Sequence, residues 1–171
     1  MPFQTLLQVV EDCDNFPHTS ATGTYTLVVG SIIVGRLLSS TVLAIREYSA
    51  RQNEAPFVIG DGYVTFAKHI NTTKERSQVI AEMLQAWREE KKFAALHGWR
   101  NELYAAYGDA NQQGNIAFVF ERAGAPLLGI PSYGVHLNAY VREDDGMLKM
   151  WIARRSLTKQ TWPGMLDNCV R

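Results

Sequence analysis

A chain of 171 residues, 46% hydrophobic and 20% charged, is long enough for one domain with its own core, or for one domain and part of a second. Lys and Arg balance Asp and Glu at 17 each, which excludes a broad basic face for nucleic acid and an acidic tail as the basis of function. Two cysteines at opposite ends, Cys13 and Cys169, have no CxxC spacing and support neither a disulfide framework nor a zinc site.

The opening residues carry no basic segment and meet Glu11 and Asp12 early, so they do not read as a secretory signal. The longest apolar run, residues 27–34, is interrupted by Gly30 and Ser31 and is too short to span a bilayer. A cytoplasmic protein without a membrane or nucleic-acid partner is the expectation by elimination.

Apolar residues at 3, 6, 7, 9 and 10 predict a short amphipathic helix, ended by the turn formers of residues 12–17. Residues 25–29 and 31–35 are β-rich runs separated by Gly30, and predict paired strands. A helix is expected over 37–48, a loop over 49–56, and a second hairpin from 57–59 to 63–66 through Asp61 and Gly62. Thr72 and Glu75 have the spacing of a capping box, in which hydroxyl and carboxylate each satisfy a free backbone N–H. Behind it Val79, Ile80, Met83, Leu84 and Trp87 form one apolar helix face, and Gly98 is the expected stop. Residues 103–107 are ambiguous, 116–120 predict a buried strand, and 124–134 read as loop. Residues 135–141 and 147–153 alternate as half-buried strands around a turn at Asp144, Asp145 and Gly146. The fold class is α+β: a mixed N-terminal domain over 1–130, then a second segment over 133–171.

The chemistry concentrates near the C-terminus. From Lys149 onward five cations (Lys149, Arg154, Arg155, Lys159, Arg171) stand against one acid, Asp167. Arg154, Arg155 and Lys159 directly follow a predicted strand, where a scaffold commonly presents functional groups. Arg supplies a rigid fork for phosphate oxygens and Lys a mobile point charge. If the strand alternation continues, Arg154 and Arg155 point to opposite faces, and only one of them can share a site with Lys159. The alternative is a solvated basic loop. Trp162 sits in a turn with Pro163 and Gly164, either as a stacking wall for a heteroaromatic ring or as a cover for the edge of a small core. Arg88, Glu89 and Glu90 are a charged helix face, because Lys91 and Lys92 stand where a metal-binding helix needs acids. Four scattered histidines have no metal-ligand spacing, and no phosphate-loop or nucleophile motif is present.

Five segments carry a family resemblance: residues 13–17 (CDNFP), 93–104 (FAALHGWRNELY), 120–123 (FERA), 133–136 (YGVH) and 151–168 (WIARRSLTKQTWPGMLDN). In that order they resemble the thiamine pyrophosphokinase-related Nudix hydrolases, over nearly all of the chain. The resemblance implies a Nudix fold beginning near Tyr133, with the two alternating strands as its first hairpin. It implies metal-dependent hydrolysis of a diphosphate bond, with oxidised or damaged thiamine diphosphate derivatives as substrates. Arg155 and Lys159 match the Arg-x-x-x-Lys segment whose side chains contact diphosphate in isopentenyl diphosphate isomerases. In the family, a loop and helix rich in glutamate then bind Mg²⁺ and activate water. Here Arg171 comes before any such segment, so no catalytic residue and no metal ligand is expected in this chain, which is expected to be inactive alone. The expected partner is a small diphosphate, held by Arg155, Lys159 and Arg154 with Trp162 against its ring. An exposed strand edge leaves room for a homo-oligomer. Two other readings stand beside this one: a non-catalytic ligand-binding or interaction module, and a hydrolase of oxidised nucleotides.

Overall fold

The computed structural model of the chain describes residues 5–13, 23–109, 111, 114–134, 136–159 and 161–168. The first helix, α1 (Leu6–Cys13), starts three residues after its apolar pattern does. Thr5 and Gln8 decide the start: the Thr5 hydroxyl accepts from the Gln8 N–H at 3.2 Å and the Gln8 side-chain Oε1 accepts from the Thr5 N–H at 3.1 Å. That is a second reciprocal cap. Asp12 and Cys13 continue the helix rather than ending it, and Cys13 is exposed. The rest of the expected turn, and Cys169, lie outside the described residues.

The strands β1 (Thr24–Val29) and β2 (Ile32–Leu38) form the first hairpin, with Gly30 at φ 62° in its turn. The second is β3 (Phe57–Ile59) with β4 (Tyr63–Phe66). They join because β1 and β4 run parallel, which gives a sheet of order β2–β1–β4–β3. Helix α2 (Ser39–Ala50) buries Val42, Ala44, Ile45 and Tyr48 against this sheet. It starts two residues later than expected because Leu37 stays in β2, and it absorbs Ser49 and Ala50 from the expected loop.

Helix α3 (Thr73–Glu89) has the predicted capping box at Thr72 and Glu75 and buries Ile80, Met83, Leu84 and Trp87. Its end differs from expectation. Lys91 takes the left-handed conformation at φ 52°, and the Lys92 N–H closes the last turn on Trp87 O at 2.9 Å, well before Gly98. The early stop swings Phe93 back onto Trp87, with ring centroids 5.1 Å apart. Residues 94–98 then form a 3-10 turn.

The ambiguous residues 103–107 are strand β5 (Leu103–Tyr107), antiparallel to β6 (Ile116–Glu121). Beyond β6 a 3-10 turn (Arg122–Gly124) leads into the expected loop over 124–134, which contains a short helix, α4 (Ala125–Leu128). Gly129 ends α4 at φ 59°, and its carbonyl accepts from the Arg36 N–H of β2 at 3.0 Å. Rings at Phe57, Phe66, Phe118 and Phe120 follow one another at 5.2, 5.7 and 5.9 Å and join the two sheets through one core.

Every buried hydrophobic residue among those described lies between Leu27 and Ile130. The C-terminal arm is different in kind. Strands β7 (Tyr140–Arg142) and β8 (Leu148–Met150) form a hairpin about the expected turn, but they are shorter than the expected 135–141 and 147–153, of which residue 135 lies outside the described residues, and all six residues are exposed, so these strands are not half-buried. Hydrogen bonds organise this arm, not a core.

Two substitutions test how the core is organised. Thr72→Ala removes the cap of α3 and is expected to lower stability by about 1 kcal/mol in urea unfolding. Gly129→Ala is expected to lower it by about 3 kcal/mol or more, since a Cβ there would stand 1.7 Å from Arg36 O on a left-handed backbone. Equal losses in the two variants would contradict this packing.

Candidate functional site

The basic segment begins on strand β9 (Ala153–Arg154), which pairs antiparallel with β10 (Leu166–Asp167). The Arg155 N–H adds a further rung to Met165 O at 2.9 Å. Between them lies a loop described at residues 156–159 and 161–164. Ser156 closes the first half, its Oγ accepting from the Thr158 N–H at 3.2 Å and its carbonyl from the Lys159 N–H at 3.2 Å. Trp162 and Gly164, at φ 53° and 70°, turn the chain back.

Two adjoining cavities, about 310 and 240 Å³, lie between this loop and the N-terminal domain, and share Arg100, Arg122, Arg155 and Lys159. Arg154 and Asp167 complete the charged lining of the first, and Glu102 that of the second. Five cations therefore face two carboxylates, an excess of three positive charges along one cleft. Such an excess concentrates anions.

Arg155 donates Nε to Thr161 O at 3.2 Å and pairs through Nη1 with the Asp167 carboxylate. Arg154 donates Nη1 to Gly164 O at 2.8 Å. Lys159 lines both cavities and forms no ion pair among the described residues. The expected split of Arg154 and Arg155 to opposite faces does not occur: β9 ends at Arg154, alternation stops there, and both residues line the 310 Å³ cavity. Trp162 is 74% exposed and lines neither cavity, and it does not cover the core either. Sequence reasoning missed Arg100, Arg122 and Asp167. The available signal was register: Leu103 pairs with Glu121, which brings the ends of segments 98–104 and 120–123 to one place.

The Asp167 carboxyl is held below the ordinary carboxylate range, chiefly by the hydrogen bond from Arg155, against a smaller opposing effect of desolvation. The Asn168 N–H adds to the depression. Asn168 in turn meets His136 Nδ1 at 2.8 Å. Among the described residues no three His, Cys, Asp or Glu side chains come together. A larger cavity of about 660 Å³, walled by Tyr48, His69 and Glu82, contains none of the expected site residues. Size favours that cavity, but the convergent cations favour the cleft.

A carboxyl depressed in the folded state stabilises at pH above its unfolded pKa and loses that contribution as pH falls through the folded value. Wild type is therefore expected to melt above Asp167→Asn by a constant margin from neutral pH down to the ordinary carboxylate range near about 4. The margin should close on further acidification. Thermal melts of both proteins across pH check this, and a margin that persists in strong acid would exclude the pair as its source.

Nudix hydrolase 20, chloroplastic, of Arabidopsis thaliana is 41% identical over 110 residues, covering 64% of this chain and 28% of its own length. Nudix hydrolase 24, chloroplastic, of the same plant is 37% identical over 109 residues, 64% of this chain and 28% of its own. An uncharacterized protein of Saccharomyces cerevisiae is 40% identical over 96 residues, 56% of this chain and 27% of its own. The matched segment is thus little more than a quarter of each relative's length. No helix among the described residues is long and apolar enough to cross a membrane. The family described as a domain of unknown function, DUF4743, matches residues 5–132, most of the chain, and the chain belongs to that family.

Proposed function

We propose that the cleft is the diphosphate end of a Nudix-type hydrolase site, and that its substrates are thiamine diphosphate derivatives, oxidised or damaged. The observation that carries this reading is the convergence of Arg154, Arg155 and Lys159 with Arg122 and Arg100 on one cleft of net positive charge. Two relatives named Nudix hydrolase and the resemblance of segments 93–104 and 151–168 point the same way.

In this reading Arg155 is a preorganised fork. Asp167 and Thr161 hold its guanidinium in place before a ligand arrives, so little rotamer freedom is lost on binding. Lys159 supplies a mobile charge to the second phosphoryl group, and Arg154 adds field strength. Mg²⁺ would neutralise charge developing on the phosphates, from ligands other than the residues described here. The cytosol is the location that goes with this reading. Self-association through the exposed β7–β8 hairpin goes with it as well.

Thermal unfolding of the purified chain without metal tests the grip by itself. Thiamine diphosphate at a hundred times its Kd is expected to stabilise by about 2.7 kcal/mol, several degrees in Tm. Thiamine without phosphate should give no rise, and Lys159→Ala should lose most of it. An equal rise with thiamine and its diphosphate would remove the phosphate grip from consideration. An equal rise with ADP would place recognition in the diphosphate and not in the ring.

A further inference from the structure

Segments 98–104 and 120–123 are separate in sequence from the basic loop, yet they form the opposite wall of the cleft. Their geometry depends on one buried acid. Glu121, 5% exposed, ends β6. A carboxylate so placed must be satisfied by fixed donors. It accepts from the N–H groups of Arg100 at 2.9 Å, Glu102 at 3.2 Å and Ala123 at 3.3 Å. These come from the loop entering β5 and the turn leaving β6, so one side chain clamps both.

Neighbouring contacts reinforce the clamp. The Arg88 guanidinium lies 4.6 Å from the Trp99 ring centroid, and Trp99 Nε1 donates to Asn101 Oδ1 at 3.1 Å. Asn101 is left-handed at φ 54°, which turns the chain between the clamped N–H groups. The two arginines then differ. Arg122 binds both Glu102 oxygens at 3.0 and 2.9 Å and lies over the Tyr104 ring. Arg100 is exposed, lines both cavities, and forms no ion pair among the described residues.

We propose that the DUF4743 domain supplies half of the anion site: Arg100 binds a phosphoryl group from the wall opposite Lys159, and Glu121 is its positioning residue. The proposal rests on reading the cleft as a diphosphate grip, and it gives this domain a role in ligand binding. A phosphate between two walls meets cations from both sides, and a fork on a clamped loop holds it with fixed geometry.

Calorimetric titration of the whole chain with inorganic pyrophosphate, without metal, tests it. Wild type should bind, and Arg100→Gln should weaken binding about tenfold or more, comparably to Lys159→Ala. Glu121→Gln should weaken binding in the wild-type background and cost nothing further in Arg100→Gln, since a group acting through Arg100 has no effect once Arg100 is gone. A merely structural Glu121 would weaken both backgrounds alike, and that result would overturn its positioning role. Arg100→Gln changes an exposed side chain, so the central test does not depend on the Glu121 variant folding. If wild type binds, Lys159→Ala fails and Arg100→Gln stays within about twofold, the second wall is refuted while the grip stands. If wild type does not bind pyrophosphate, the grip itself fails, and the second wall with it.

Discussion

The structure depends on the contact between helix α3 and strand β6. One edge of β6 pairs with β5, and the opposite edge would leave backbone groups open. Helix α3 covers it with polar side chains. Thr73 Oγ1 donates to Ile116 O at 3.0 Å, Arg76 Nε donates to Ala117 O at 2.8 Å, and Ser77 Oγ accepts from the Val119 N–H at 2.9 Å. One helical turn along, Ile80, Met83, Leu84 and Trp87 become buried in the core that also takes in Phe118 and Phe120. Hydrogen bonds set where the strand lies along the helix, and hydrophobic burial holds it there, at roughly 1.5–3 kcal/mol for each large side chain. A fixed β6 fixes Glu121 at its end, and Glu121 fixes the wall of the cleft.

The cleft shows how a protein keeps like charges together. Five cations side by side repel one another unless some are neutralised or solvated. Here Glu102 holds Arg122 and Asp167 holds Arg155, each through a hydrogen-bonded carboxylate. The carboxylates also orient: both arginine forks are pinned by contacts that an incoming anion need not supply. Lys159, Arg100 and Arg154 carry the charge that no described carboxylate neutralises. Two of the five cations are ordered by carboxylates and three are not, an arrangement that attracts anions.

The two parts of the chain are held by different forces. The N-terminal part has a continuous core in which Gly35 and Gly129 let two backbones touch: a Cβ on Gly35 would stand 2.2 Å from Leu128 O. The C-terminal arm keeps Tyr140, Leu148, Met150, Trp151 and Ile152 exposed, and its shape comes from the β7–β8 and β9–β10 ladders and the Arg155–Asp167 pair. The basic cleft has one wall on this arm and the other on the cored domain.

Much of this was legible in the residues. Thr72 and Glu75 announce α3 because a capping box is local, three residues apart, and owes nothing to the rest of the fold. The hairpins at Gly30 and at Asp61–Gly62 are legible for the same reason. The basic run of Arg154, Arg155 and Lys159 could be named, but not its surroundings. Period-2 alternation in residues 135–141 pointed to a buried face, and exposure overruled it, because alternation records which side chains share a face and not whether anything covers that face. Lys91 stops α3 in a conformation its side chain disfavours, because Phe93 must return to Trp87. Local order, then, belonged to the sequence by itself. That Arg100 and Lys159 line one cleft, that Glu121 is buried against the Arg100 N–H, and that Asp167 neutralises Arg155 were decided by the tertiary structure, since each joins residues whose proximity depends on how whole elements pack and no local spacing encodes that.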